Sequence, residues 1–220
     1  TDNPLVPLLV VAAVYPMQLF WGYFRADIHH NIAIYYSKER RWDEALINYA
    51  SVHELNPDFV MSLYFTGNVF NDRFNMDRIY NRMWGDRNDV SRDDYERALD
   101  AYNAVRRLSP NYVQMHHQVG ALHLKRAEWA VNHGHPEEVQ KYLDRAMNRF
   151  RLYEQIDPVF PANYYRIGQT YMIEKRWADA AKAYDDFIRA DKCAVAPSLI
   201  EKRWLRDSIL SYQTYVKEPG

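Results

Sequence analysis

Four stretches of this chain repeat one arrangement of side chains, and that arrangement leaves few folds open. They are DEALINYASVHELNPDF (43–59), ERALDAYNAVRRLSPNY (96–112), LDRAMNRFRLYEQIDPVF (143–160) and ADAAKAYDDFIRADK (178–192). Each carries a small Ala, an aromatic four residues on and a bulky residue three after that: Ala45/Tyr49/Val52, Ala98/Tyr102/Val105, Ala146/Phe150/Tyr153 and Ala180/Tyr184/Phe187. Steps of four and three place all three side chains on one face of a helix. In three copies a Pro stands 12 residues beyond the Ala, at Pro57, Pro110 and Pro158, preceded by Asn56, Ser109 or Asp157. A residue before Pro avoids the helical region, so each pair stops its helix and begins a turn.

A partner helix precedes each copy, with a small residue where two helices can cross closely: Ala33, Gly67, Gly120 and Gly168. The pattern resembles the tetratricopeptide repeat, a helix-turn-helix unit whose stacking buries a continuous core. The resemblance covers residues 26–194 in four copies, at about 26–59, 60–112, 113–160 and 161–194. The first and last copies have the family length, with 12 residues from the small residue to the Ala. In the middle two the interval is 31 and 26 residues, so both carry insertions in the turn between their helices. The expected fold is therefore all-α: a helical solenoid of four repeats, two with insertions. Residues 197–216 are expected as a capping helix within a final segment, 195–220.

The stretch before the repeats differs in kind. From Pro4 to Phe24 (PLVPLLVVAAVYPMQLFWGYF) no residue is charged, and Arg25 and Asp27 end the run. A helix of that length crosses a hydrocarbon layer of about 30 Å. Trp21, Tyr23 and Tyr15 suit its interfacial end. Pro7, Pro16 and Gln18 weaken the case, and a helix packed on the repeats is the alternative. Residues 1–25 are thus expected as an apolar helix acting as a membrane anchor through 4–24. No basic leader and no small-residue cleavage pattern marks a secretory signal.

Lys+Arg 28 against Asp+Glu 29 leaves a net charge of -1, so no global field favours nucleic acid. The hydrophobic content of 48% suffices for a sizeable core. Cys193 stands alone, which excludes an internal disulfide, and is expected as a buried thiol. Protein partners are expected instead. The resemblance implies a concave groove lined by the first helices, which would present His30, Ile34 and Lys38; Tyr64, Asn68 and Asp72; Gln114, His117 and Lys125; and Tyr165, Gln169 and Met172. Amides and Tyr suit an extended peptide or a partner helix. The chaperone-binding subclass places a Lys and an Asn where this chain has His30 and Ile34, which argues against that role.

The first insertion, 71–97, alternates Arg and Asp around Phe74, Tyr80, Met83 and Trp84, and is expected as a self-paired surface loop with Trp84 as a contact. Ser91 followed by Asp94 reads as a helix start ending it. His116 and His123, and His29, are expected in the core rather than on a metal. His133 to Glu138 reads as a turn entering a helix at Pro136. No phosphate loop or nucleophile elbow is present, so no cofactor, metal or enzyme activity is expected. Residues 25–46 and 57–74 also resemble the repeat region after the last membrane span of bacterial O-antigen ligase-like proteins. That resemblance implies repeats on the periplasmic side of a bacterial inner membrane, docking a surface-glycan enzyme.

Overall fold

The computed structural model describes residues 5–84, 88–193, 209–214 and 216–217, with side chains over 11–74, 94–193 and the C-terminal turns. Every regular element among the described residues is an α-helix: α1 (Leu5–Lys38), α2 (Trp42–Leu55), α3 (Val60–Trp84), α4 (Asn88–Leu108), α5 (Val113–His133), α6 (Pro136–Ile156), α7 (Pro161–Ile173) and α8 (Trp177–Cys193). They form two compact units, Thr1–Asn111 with α1 to α4 and Tyr112–Gly220 with α5 to α8. Within each unit the helices associate as successive pairs, α1 with α2, α3 with α4, α5 with α6 and α7 with α8.

The pairing contact is the one the sequence pattern anticipates. A Cβ on Gly67 would stand 2.6 Å from Cε1 of Tyr102, and one on Gly120 would stand 2.5 Å from Cε1 of Phe150. Gly168 meets the Tyr184 ring in the same manner. In the first pair Ala33 takes this place, buried with Ala45, Tyr49 and Val69. The third members of the pattern, Val52, Val105, Tyr153 and Phe187, are buried as well. Each buried aromatic or aliphatic side chain contributes about 2–3 kcal/mol from the area it removes from water.

The Asn, Ser and Asp before the prolines end their helices alike. The backbone N–H groups of Asn56, Ser109 and Asp157 donate to the carbonyls of Val52, Val105 and Tyr153, each at 2.8 Å. The short turns inside the first and last pairs share a second device. Arg40 and Lys175 adopt positive φ, 59° and 58°. The next residue, Arg41 or Arg176, stacks 4.5 Å over the ring of Tyr36 or Tyr171. Its N–H donates to the carbonyl of that same tyrosine at 2.9 Å.

The insertions do not form loops. Their residues lengthen the helices on both sides: α3 runs 25 residues, and α4, α5 and α6 run 21 each, against 14 for α2 and 13 for α7. No Gly or Pro interrupts 71–84, so nothing stops α3 before Trp84. Asp94 accordingly lies inside α4, not at its start, and is buried with a bidentate partner. Arg73 Nε and Nη2 donate to its two oxygens at 2.7 and 2.5 Å, while Nη1 reaches Asp43 on α2 at 3.0 Å. Such charge-assisted forks are strong, and this one ties three helices together. In the second unit the turn between α5 and α6 follows expectation, with Gly134 left-handed at φ 75° and Pro136 in the first turn of α6. Beyond it Arg126 stacks 4.0 Å over Trp129 and donates to Glu138 at 3.2 Å.

The apolar segment is continuous with the first repeat helix, residue 25 lying inside α1. Among the described residues no helix is long and apolar enough to cross a membrane. At the other end Ile209 is buried against Ala180, Tyr184 and Phe187, and Gln213 donates to Asp185 at 2.8 Å. The rest of the expected cap, 197–208, lies outside the described residues. Cys193 is exposed rather than buried, since it closes α8 beyond its packed face.

Gly120→Val is expected to lower stability by about 2 kcal/mol or more, because the added methyls have no room beside Phe150. An unchanged urea midpoint would show that α5 and α6 do not approach so closely. Lys175→Gly is expected to raise stability by up to about 1 kcal/mol by relieving the left-handed backbone. A lowered midpoint would mean that the lysine side chain supports the turn.

Candidate interaction surfaces

In the first unit the expected groove residues of α1 and α3 divide by exposure. Lys38 and Asp72 are exposed, while Ile34 and Asn68 are half-buried. His30, expected at the surface, is buried. Its ring lies 4.8 Å from that of Phe59, in the turn before α3, and 5.6 Å from that of Phe65 on α3. Burial lowers its pKa, against the opposing pull of Asp27. Tyr64 is buried too, against Phe65 and Tyr102. Asn68 accepts a hydrogen bond from the Tyr102 hydroxyl at 2.8 Å, so its amide serves the helix pair. Trp84 ends α3, and its side chain lies outside those described.

In the second unit α5 and α7 also lie against each other. Gln114 is exposed, and Lys125, Tyr165, Gln169 and Met172 are half-buried. Tyr165 leans on Tyr184 and Phe187, and Met172 packs on the same cluster. Gln169 donates to the Tyr165 hydroxyl at 3.1 Å and accepts from Arg166 Nη1 at 2.9 Å. Arg166 was not anticipated from sequence. Burial lowers its pKa, while Tyr165 and Glu128 oppose that shift. Arg166, Gln169 and Tyr165 thus form a hydrogen-bonded, half-buried row on α7.

His117, expected on the groove, is wedged among Phe150, Tyr153 and Phe160, the last edge-on at 5.2 Å. Its Nδ1 faces the Asn163 side-chain oxygen at 3.4 Å, whose amide nitrogen donates to the Phe150 carbonyl at 2.9 Å. That arrangement requires the proton on Nδ1. Burial pushes its pKa down to about 4, helped by Arg166 and opposed by the Asn163 bond. His123, buried as expected, is also brought down to about 4, first by burial and then by Arg145 and Arg149. His116 is buried and lies 3.3 Å from Arg149 Nη1, whereas His29 is half-buried and meets Asn48 at 3.0 Å. Among the described residues no three His, Cys, Asp or Glu side chains gather as a metal site.

No protein-family model matches the chain, and no curated protein does. Solved structures do. MamA 41-end from Desulfovibrio magneticus RS-1 aligns over 88% of this chain and 93% of its own, at 16% identity and a TM-score of 0.56. Another crystal structure of MamA aligns over 84% of this chain and 92% of its own, at 15% identity and a TM-score of 0.51. At this identity the likeness concerns the fold alone, an all-helical array of successive helix pairs. The resemblance to O-antigen ligase-like proteins gains no support from these similarities.

Both depressed histidines make the second unit acid-sensitive. Their folded pKa lies below the ordinary 6.5, so the unfolded chain binds more protons between pH 6.5 and about 4. Stability is expected to be full above 6.5 and to fall through that window, by up to about 1.4 kcal/mol per pH unit for each histidine. Urea unfolding of His117→Gln and His123→Gln across the window checks this. A wild-type slope retained in the double variant would assign the acid sensitivity elsewhere.

Proposed function

We propose that this chain is a protein-interaction scaffold, a subunit of a larger assembly held at a membrane by the apolar half of α1. The scaffold role is supported by what the tetratricopeptide fold does with its residues. Small residues and rings are used up in pairing helices, while in the second unit Gln114 is exposed and Lys125, Met172 and the row at Arg166 are half-buried. Repeat arrays of this kind provide surface without a preorganised catalytic centre.

The tether rests on one observation. Val11, Val14, Tyr15, Met17, Phe20, Trp21, Tyr23 and Phe24 are all exposed along α1, and Val14, Met17, Phe20, Trp21 and Phe24 border one almost wholly apolar hollow. A water-soluble surface seldom leaves so large an apolar patch open. These residues surround the helix instead of forming one stripe, as expected of a helix in a bilayer or a core. A protein groove would cover only one side of it.

The test is purification in detergent from the native membrane, followed by mass spectrometry of what accompanies the chain. Stoichiometric companions are expected, reduced about tenfold in a Gln114→Ala, Met172→Ala double variant whose helicity is unchanged, the loss of one modest hot spot. Recovery of the chain alone in the soluble fraction would overturn both the tether and the assembly.

A further inference from the structure

The apolar half of α1 projects from a definite end of the first unit. Three contacts set which one. The Gly22 position lies 3.9 Å from the Leu55 carbonyl oxygen at the close of α2. The His30 ring meets Phe59 just before α3 begins. Tyr64 on α3 meets Tyr102 on α4 with ring centroids 6.3 Å apart, and Phe74 meets Tyr95, so α4 runs back against α3. The last turn of α4, with Arg106 and Arg107, therefore ends beside the first turn of α3. The turn between α2 and α3 and the end of α4 thus share the end of the unit from which residues 5–24 emerge.

Leu5 to Phe24 runs about 30 Å along the helix axis. Arg25 is the first charge beyond it, and Ala26 the first buried residue of the packed part. The level of His30 and Phe59 lies six residues beyond Phe24, roughly 9 Å, at the outer edge of a headgroup layer about 5–8 Å deep. No Gly or Pro stands between Arg25 and Lys38, so α1 carries no hinge there.

Resting on the membrane tether proposed above, we infer that this end of the first unit is seated in the phospholipid headgroup layer, with the turn at 56–59 in it and Arg106 and Arg107 reaching lipid phosphates. Both arginines are exposed, as are Asp58, His53 and Glu54 at the neighbouring turn. Mixed charges at this level suit phosphate and ammonium groups alike. Guanidinium groups pair with phosphate strongly, and a long side chain brings them there. The first unit then stands at a set height and attitude on the bilayer.

Depth measurement on the full chain in phosphatidylcholine and phosphatidylglycerol vesicles tests this. In a Cys193→Ser background, single cysteines at Phe20→Cys, Asp58→Cys, Arg107→Cys and Glu39→Cys carry a bimane label. Lipids with nitroxide on the headgroup or deep in the acyl chain serve as quenchers. The label at 20 is expected to lose most of its fluorescence to the deep nitroxide, those at 58 and 107 to the headgroup nitroxide, and that at 39 to neither. Quenching at 20, with 58 and 107 behaving like 39, would overturn the seating and leave the tether standing. No quenching at 20 would overturn the tether, and the seating with it.

Discussion

The closeness of two helices at a residue with little or no side chain is the constraint on which the rest of this structure depends. At Gly67, Gly120 and Gly168 the ring of Tyr102, Phe150 or Tyr184 fills the space a Cβ would need. The ring is therefore both the filler of the pair and its spacer, and the Ala four residues before it lets the backbones approach. Ala33 achieves the same closeness with its own methyl, beside Ala45 and Tyr49. Once this crossing is set, the third residue of each pattern falls into the core, and in the first three its carbonyl is left to accept the N–H of the helix stop.

Because the crossing is local, length can be added at the far ends of a pair without disturbing it. The two middle pairs show this, with helices of 21 to 25 residues around the same contact that serves 13- and 14-residue helices in the outer pairs. Added length exposes new faces, and each long pair closes them with a cation. In the first unit Arg73 holds Asp94 and Asp43, and lies over Phe70. In the second, Arg126 lies between Trp129, Tyr142 and Glu138. A guanidinium offers a flat apolar face and a fork of donors together, which suits a boundary between core and solvent.

What could be read from residue order follows this division. The Ala, aromatic and bulky triplets, the small residues opposite them, the Pro stops and the turn at Gly134 were legible, since spacing alone determines which face they share. The groove was less so. His30 and Tyr64 sit at positions that an isolated pair would expose, but Phe59, Phe65 and Tyr102 from the adjoining elements cover them. Burial of this kind depends on the neighbour's side chains and not on the helix's own period. Arg166 escaped notice because an arginine on an amphipathic helix ordinarily marks the solvated side. The insertions were misread as loops because alternating Arg and Asp looks solvated in one dimension, whereas Arg73 and Asp94 are partners across two helices. Even the left-handed Arg40 and Lys175 had a trace in sequence, as both precede an arginine and a tryptophan in matching turns.

The first helix brings these points together. From Ala26 onward α1 behaves as the first member of a repeat pair, with one buried stripe; before it, the same helix has exposed apolar side chains all round. Two environments along one rod carry a mechanical consequence. An α-helix without an intervening Gly or Pro resists bending at the join, so whatever surrounds its first half sets the direction of its second. The α1–α2 pair inherits that direction through Ala33 and Tyr49, and α3 inherits it through His30 and Phe59. A flexible linker would have let the first unit sample all orientations relative to whatever holds the apolar half. A continuous helix instead fixes which face of the first unit is turned away from it.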